Sequence, residues 1–492
     1  MKREENGKYN KLLNNKLLNN KNFNILFDLI ILIKHNIIFK LFLFIIIFII
    51  FLLNIKYKLI LTSENIQVFQ DYIKIQINLN LTFNNKISKK IRVGIYEEGL
   101  KNGGRERLTC LLVYYLNKVN IFDIFLFTKL KKEENEYFIP ENINRIILKN
   151  FDVNGLIQEI YKKKIDIFIY QFTKFTAIEK LNEFKKLKIM FYQHQCSLYW
   201  IYRDYSLFKY IYKSYKKSKY VVNLLHFESD YLFKKWGIRS ILMNNYISYE
   251  YNSVIQSDLS SKIILMIGRG NDIFKRFEIG IQAMEYIKEE IPECEMKIIS
   301  NISYIYNLKD LVSNLNLEDF VKFVGYTSTP EIFYKNASLH IFPSISESFG
   351  LVLSETKLYG IPTILVGIDY ISTSKGGTII IYEDKPESIT KETLRIFKNN
   401  KYMKKLGKEG RNSIKAFNNN LLLNKWIKLI LSIYNGDKYY TELIDQDEKI
   451  SEIDAIKILE NQLKLIKEKN KVFKNVSIND FVNFTFLENF NI

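Results

Sequence analysis

The chain has 492 residues, long enough for two to three domains, and its hydrophobic content of 47% is ample for their cores. Six prolines and nineteen glycines are few for this length, which excludes a low-complexity linker. The net charge of +19 arises from scattered lysines rather than from basic runs interleaved with aromatic residues. This pattern argues against nucleic-acid binding and favours attraction to anionic lipid or phosphate ligands.

The three cysteines, Cys110, Cys196 and Cys294, lie far apart in apolar surroundings. Such a sparse and odd-numbered set does not form a disulfide framework or a zinc cluster. We therefore expect buried thiols at all three positions.

The N-terminal region predicts a membrane anchor. Residues 1–36 form a polar, Asn-rich segment, residues 37–55 an apolar run, and residues 56–88 a stalk. A helix needs about 20 apolar residues to span hydrocarbon, and the run just meets that length without a following cleavage site. Basic residues are denser before the run than after it. This bias favours a body on the luminal or extracytoplasmic side, although the side stays open.

From residue 89 onward, apolar strands alternate with helical stretches, which is typical of α/β proteins with parallel sheets. The predicted strands are Ile91–Tyr96, Ile121–Phe127, Ile165–Phe172, Lys188–Tyr192, Tyr220–Leu225, Ser240–Met243, Lys262–Ile267, Glu295–Ile299, Val321–Val324, Ser338–Phe342, Thr363–Val366 and Thr378–Tyr382. The pattern restarts after a polar stretch near residue 253. We predict two doubly wound, Rossmann-like domains, 89–252 and 253–435, that face a ligand cleft.

Residues 436–492 predict a helical extension. Five apolar residues share one helix face: Ile453, Ile456, Leu459, Leu463 and Ile466. The stripe is short, so a helix packed on the body is favoured over a coiled coil. Asp445-Gln446-Asp447 has the outline of a metal site, but its place in the tail indicates a solvated turn.

The most informative motif lies in the second domain. An apolar strand ending at Phe342 runs into a polar loop with Glu347, and Gly350 then opens a helix that carries Glu355. Free amides at a helix start attract anions. The diphosphate-binding candidates are the amides of Phe349, Gly350 and Leu351. Two carboxylates flanking an anion site predict a ligand with both phosphate and hydroxyl groups, which a nucleotide-sugar provides.

A second motif supplies cations. Gly268 and Arg269 follow the first strand of the second domain, and Lys275 follows shortly after. Transfer of a sugar from a nucleotide diphosphate requires stabilisation of negative charge on the leaving group, and Arg and Lys can provide it. We therefore expect no metal and no cofactor beyond the nucleotide-sugar substrate itself.

These motifs, together with Gly103-Gly104-Arg105-Glu106-Arg107 and Gly360-Ile361-Pro362, each follow a predicted strand or helix in a fixed order. In this respect residues 89–435 resemble the retaining GT-B glycosyltransferases of family 4, within glycosyl transferases group 1. The anchor and the tail lie outside the resemblance.

The resemblance implies roles for individual residues. Glu355 would accept hydrogen bonds from ribose hydroxyls, and Glu347 would contact the transferred sugar. Gly103 and Gly104 would lie beside the nucleotide-sugar phosphates, with a plain tight turn as the alternative. His194, at a strand end, would lie near the acceptor and the reacting sugar, with a hydrogen-bonded structural histidine as the alternative.

The sequence as a whole predicts a membrane-anchored hexosyltransferase of glycan biosynthesis that acts on a glycan, lipid or protein acceptor with retention of configuration. The alternatives are a GT-B epimerase of nucleotide-sugars and a non-catalytic, membrane-tethered carbohydrate-binding scaffold. The segment Asn244-Asn245-Tyr246-Ile247 departs from the Asn-Gly-Val-Asp-like turn common in the family, so the base and the sugar stay open.

Overall fold

A computed structural model describes residues 89–436, apart from 102, 149–151, 172–174, 185, 204, 270–271, 273, 302–305, 328 and 384, together with 452–469, 477 and 479. The predicted anchor at 37–55, the stalk and the motif at 445–447 lie outside these residues. Within the described part of the chain, no helix has both the length and the apolar character that crossing a membrane requires.

The first sheet contains seven parallel strands in the order β3-β2-β1-β4-β5-β6-β7. Its strands read as continuous apolar runs because helices cover both faces of a parallel sheet. The strands are β1 (Ile91–Glu97), β2 (Phe122–Thr128), β3 (Asn144–Ile147), β4 (Ile167–Tyr170), β5 (Lys188–Tyr192), β6 (Tyr220–Asn223) and β7 (Ser240–Leu242). The helices are α1 (Gly104–Asn117), α2 (Val153–Lys162), α3 (Phe175–Asn182), α4 (Ser197–Arg203), α5 (Tyr205–Lys217) and α6 (Phe233–Lys235).

The second sheet contains six parallel strands in the order β10-β9-β8-β11-β12-β13. Its strands are β8 (Ile263–Ile267), β9 (Glu295–Ile299), β10 (Val321–Phe323), β11 (Leu339–Phe342), β12 (Thr363–Val366) and β13 (Thr378–Ile381). Its helices are α7 (Phe277–Glu290), α8 (Tyr306–Asn314), α9 (Glu331–Asn336), α10 (Leu351–Leu358), α11 (Pro386–Phe397), α12 (Asn400–Ile414) and α13 (Asn419–Asn435). The prediction of two parallel-sheet, Rossmann-like layers is confirmed.

The helix α13 follows the second sheet in sequence but packs on the first. Trp426 meets the ring of Tyr192 edge-on at a centroid distance of 5.3 Å. The ammonium of Lys188, at the start of β5, donates to the carbonyl of Tyr434 over 2.6 Å. These contacts join α13 to the first and last residues of β5.

The tail helix α14 (Glu452–Lys469) packs on the body, as its apolar stripe predicts. Ala455, Leu459 and Leu463 are buried in a core cluster that contains residues of both sheets. The buried amide of Gln462 donates to the carbonyl of Gly367, which follows β12, over 3.1 Å. All three cysteines are buried free thiols, which confirms that expectation.

Candidate active site

The loops after β8 and β11, which are neighbouring strands, meet at the carboxyl edge of the second sheet. Lys275, after β8, forms an ion pair with Glu347, after β11. A β-carbon on Gly268 would lie 3.3 Å from Cζ of Phe277 and 3.4 Å from Cδ of Lys275, so the lysine stem passes close to this glycine. The structure thus brings together three residues that the two sequence motifs contribute.

The helix α10 begins without a side-chain cap. Gly350 precedes its first residue with φ of 71°, a left-handed conformation that glycine adopts without strain. A β-carbon there would lie 3.3 Å from side-chain atoms of Leu353 and of Ile371. The backbone amides of the first helical turn lack a capping side chain and carry the positive end of the helix dipole, which suits an anion.

Residues of the first sheet reach the same helix start. A β-carbon on Gly104 would lie 3.2 Å from Cδ1 of Leu351. The hydroxyl of Ser348 donates to the carbonyl of His194 over 2.6 Å. Loops of both sheets therefore converge where the sequence placed its nucleotide-sugar site. Gly103 instead lies against the carboxylate of Glu106.

His194 follows the end of β5, where burial disfavours the charged form of its ring. Its Nε2 lies 2.8 Å from Oε1 of Gln171. Burial and, secondarily, the charge of Arg105 lower the pKa of His194 to about 3. Among the described residues, no hydrogen-bond partner reaches its buried Nδ1.

Glu355 lies in α10 and its side chain is only 4% exposed. Its Oε1 accepts from the guanidinium of Arg107 over 2.8 Å and also from the hydroxyl of Ser248. Its Oε2 accepts from the hydroxyl of Tyr334 over 2.6 Å. A ribose diol would therefore have to share or replace protein hydrogen bonds at this carboxylate.

Arg107 joins α1 of the first half to α10 of the second. Its guanidinium forms an ion pair with the carboxylate of Glu355. Burial alone would lower the pKa of Arg107, but the carboxylate of Glu355 raises it, so the guanidinium keeps its charge.

Arg269, a predicted site residue, does not join the ion pair between Lys275 and Glu347. Its side chain is 67% exposed and pairs with Asp272 over 3.1 Å, rather than with Glu347. Phe349 is buried, its ring lies edge-on to Phe417 at 5.2 Å, and its carbonyl accepts from the hydroxyl of Thr373. The aromatic side chain thus anchors the loop beneath the helix start.

Sequence reasoning missed a buried polar group behind His194. Glu97, at the end of β1, is fully buried and accepts from Nη2 of Arg105 over 2.8 Å. Burial raises the pKa of Glu97, while Arg105 acts in the opposite direction. Polar residues at the carboxyl ends of strands were the available signal, since Gln171 directly follows β4. No comparable signal marks Ser248 or Tyr334 as partners of Glu355.

No group of three His, Cys, Asp or Glu side chains suitable for a metal ion occurs among the residues whose structure is described. The prediction of metal independence is not tested by this finding.

Two parallel α/β sheets whose loops converge on one site define the GT-B glycosyltransferase fold, and solved structures share it. Sucrose-phosphate synthase from Thermosynechococcus elongatus aligns with a TM-score of 0.60 at 16% identity, covering 70% of this chain and 100% of that chain. Anabaena HepE in complex with UDP and glucose aligns with a TM-score of 0.57 at 13% identity, covering 69% of this chain and 99% of that chain.

Residues 250–413, in the second half of this chain, match the family described as glycosyl transferases group 1. N-acetyl-alpha-D-glucosaminyl L-malate synthase of Bacillus anthracis is 24% identical over 183 residues, which are 36% of this chain and 48% of that protein. The chain spans less than half the length of the curated relatives that it matches.

Proposed function

We propose that this protein is a glycosyltransferase that moves a hexosyl group from a nucleotide-sugar to an acceptor hydroxyl with retention of configuration. One observation carries the proposal. The Lys275–Glu347 ion pair lies on the loops beside the uncapped start of α10, and Ser348 ties the same loop to His194 of the first half.

The chemistry follows from these groups. The bond between C1 of the sugar and the diphosphate oxygen breaks, and the acceptor oxygen forms a new bond to C1 while its proton passes to the leaving group. Lys275 and the α10 amides would stabilise the growing charge on the diphosphate. Arg269 is exposed and pairs with Asp272, and we infer that its guanidinium turns to the diphosphate when the nucleotide-sugar binds. Glu347 would contact hydroxyls of the sugar, and Glu355 the ribose.

Two further features of the proposal rest on different support. Retention follows from the resemblance to family 4. UDP-sugars are the first compounds to test, because HepE, which shares the fold, is described in complex with UDP and glucose.

We also propose that transfer needs no divalent metal, because Lys275 is available where a metal would otherwise neutralise the diphosphate. Transfer rates measured with EDTA and with added Mg²⁺ or Mn²⁺ should be equal within error. Abolition by EDTA and rescue by one metal would refute this part.

The membrane anchor at 37–55 is a separate proposal, supported by the apolar run alone. The full chain should stay with membranes after alkaline carbonate extraction, whereas a variant without residues 1–56 should be released. Protease protection of the body in sealed vesicles would test the luminal or extracytoplasmic side. Carbonate release of the full chain would contradict the anchor.

The function itself is tested in two steps. Nucleotide-sugars with UDP, GDP or ADP are screened for thermal stabilisation, since a ligand at 100 times its Kd adds about 2.7 kcal/mol of stability. The stabilising compound, radiolabelled in the sugar, is then incubated with and without glycan and lipid acceptors. Label transferred to an acceptor supports the proposal. A changed sugar without acceptor indicates an epimerase, and no stabilisation by any nucleotide-sugar favours the scaffold.

A further inference from the structure

A continuous chain of hydrogen bonds runs from a buried carboxylate to His194. The hydroxyl of Thr109 lies 3.1 Å from Oε2 of Glu97, and the amide nitrogen of Gln171 lies 3.0 Å from that hydroxyl. Oε1 of Gln171 lies 2.8 Å from Nε2 of His194. Glu97, Thr109 and Gln171 are all buried, so water does not compete for these bonds.

The pairing of Arg105 with Glu97 determines which group donates and which accepts in every hydrogen bond between Glu97 and His194. Arg105 donates to both oxygens of Glu97, with Nε at 3.0 Å from Oε2 and Nη2 at 2.8 Å from Oε1. The carboxylate is thus an acceptor. The other neighbour of the Thr109 hydroxyl is the carbonyl of Arg105 at 3.0 Å, which is also an acceptor. The single hydroxyl proton of Thr109 therefore points to one of these oxygens, and its lone pair faces Gln171.

The orientation of the Gln171 amide follows. Its NH₂ group must face Thr109, and its carbonyl oxygen must then face His194. A carbonyl oxygen only accepts, so Nε2 of His194 must carry the ring proton. Burial of the ring disfavours the charged imidazolium, so Nδ1 carries no proton and keeps its lone pair. That atom has no partner among the described residues.

We propose that Thr109 and Gln171 are positioning residues that lock His194 in the Nε2–H tautomer and reserve Nδ1 as an acceptor for a substrate hydroxyl. The proposal rests on the proposed transferase function for the identity of that hydroxyl, but the tautomer itself is a property of the protein alone. Neither residue touches the substrate. Both act through the ring of His194, whose main-chain carbonyl is in turn held by Ser348.

The test combines a spectroscopic signature with the transfer rate. The full chain is labelled with ¹⁵N-histidine, and His194→Gln identifies the His194 signals among those of the four histidines. Long-range ¹H–¹⁵N spectra then show which ring nitrogen is protonated. In wild type, Nε2 should be protonated and Nδ1 bare.

Thr109→Val keeps the side-chain shape but removes the hydroxyl. The Gln171 amide is then free to turn its NH₂ towards His194, and the ring should shift wholly or partly to the Nδ1–H tautomer. Transfer should fall roughly tenfold, a loss typical of a misplaced catalytic hydrogen bond. Thr109→Ser restores the hydroxyl and should restore both readouts.

Thr393→Val is the matched control. Thr393 is a fully buried threonine whose hydroxyl has no partner among the described residues. This variant makes the same change in the core without touching the chain of bonds. It should leave the tautomer and the transfer rate unchanged.

Two results would overturn the proposal. One is a wild-type His194 protonated at Nδ1. The other is a Thr109→Val protein whose His194 spectrum matches that of Thr393→Val. Failure of the transferase function would show separately, as absence of transfer by wild type with its Nε2–H tautomer intact.

Discussion

At the level of single residues, the ion pair between Lys275 and Glu347 carries the proposed chemistry. Each partner holds the other's side chain in place at the carboxyl edge of the sheet. Lys275→Ala should remove charge stabilisation from the leaving diphosphate and lower the transfer rate about 10²- to 10³-fold. Glu347→Gln should lower the transfer rate to a similar extent, because it removes the negative charge that orients Lys275 and replaces one of the two accepting oxygens with an NH₂ donor.

The control is a pair with the same chemistry far from the cleft. Lys398 pairs with Glu290 over 2.6 Å at the surface, and both side chains are more than half exposed. Lys398→Ala should leave the transfer rate and the melting temperature near wild type. Wild-type rates in both site variants would refute the assignment of the active site.

Lys357 makes a second residue-level prediction. It lies on α10, is fully buried, and donates to the carbonyls of Thr373 and Lys375. Burial lowers the pKa of Lys357 from 10.5 to about 7. The unfolded chain therefore binds more protons than the folded one between pH 7 and pH 10, so stability should rise with pH across that window.

The measurement is urea unfolding at pH 7, 8 and 9 for wild type and Lys357→Met. One proton contributes about 1.4 kcal/mol of stability per pH unit. The free energy of unfolding of wild type relative to the Met variant should rise with that slope. Parallel curves for the two proteins would show that Lys357 does not titrate there.

The motif residues could be predicted from sequence, whereas their protein partners could not. The glycine at position 350 predicted that Glu355 lies in a helix, and the structure confirms this. Arg107, Ser248 and Tyr334 lie 248, 107 and 21 residues away from it in sequence. Contacts of that kind depend on how segments that are distant in sequence meet in the folded molecule, which periodicity and local motifs do not encode.

At the level of secondary-structure elements, the start of α10 is the decisive feature. Gly350→Ala places a β-carbon in a left-handed conformation and against Leu353 and Ile371. Strain of this kind costs about 1–3 kcal/mol. The first amides of the helix should also shift, so nucleotide affinity should fall together with the free energy of unfolding.

The variant Gly436→Ala separates the loss of stability from the loss of nucleotide affinity. Gly436 follows α13 with φ of 128°, and a β-carbon there would meet no atom within 4 Å. This variant should lose stability but keep wild-type nucleotide affinity, as measured by urea unfolding and calorimetric titration. Equal loss of affinity in both variants would mean that α10 does not hold the nucleotide.

Apolar strands were predictable almost residue by residue. The bounds of β5, β9 and β12 agree with the sequence prediction. The strand β3 was missed. It lies at the sheet edge and its residues are exposed or half-buried, so it lacks the apolar run that marks a central strand.

At the level of the whole molecule, the tail helix α14 is part of the core. Leu459 is fully buried in the cluster that includes residues of both sheets. Leu459→Ala should cost about 2–5 kcal/mol of unfolding free energy, as large-to-small changes in cores do. Leu421→Ala, at a half-exposed leucine of α13, should cost far less. Similar costs in urea unfolding would contradict the packing of the tail.

The two-domain organisation was predictable because the strand–helix alternation restarts in the second half. The way in which α13 returns to the first half was not, since its contacts with Tyr192 and Lys188 join residues more than 200 positions apart. Local sequence patterns predict the two α/β sheets. The contacts that bring their loops together at one site depend on long-range packing.

We propose that the second half binds a diphosphate through Lys275 and the start of α10. This binding is tested by calorimetric titration of wild type and Lys275→Ala with nucleoside diphosphates and the matching monophosphates. Wild type should bind one diphosphate at least about tenfold more tightly than its monophosphate, which is a difference of about 1.4 kcal/mol, and the Lys275→Ala protein should lose that preference. Equal affinities for the two nucleotides in wild type, or an unchanged preference in the variant, would contradict the account.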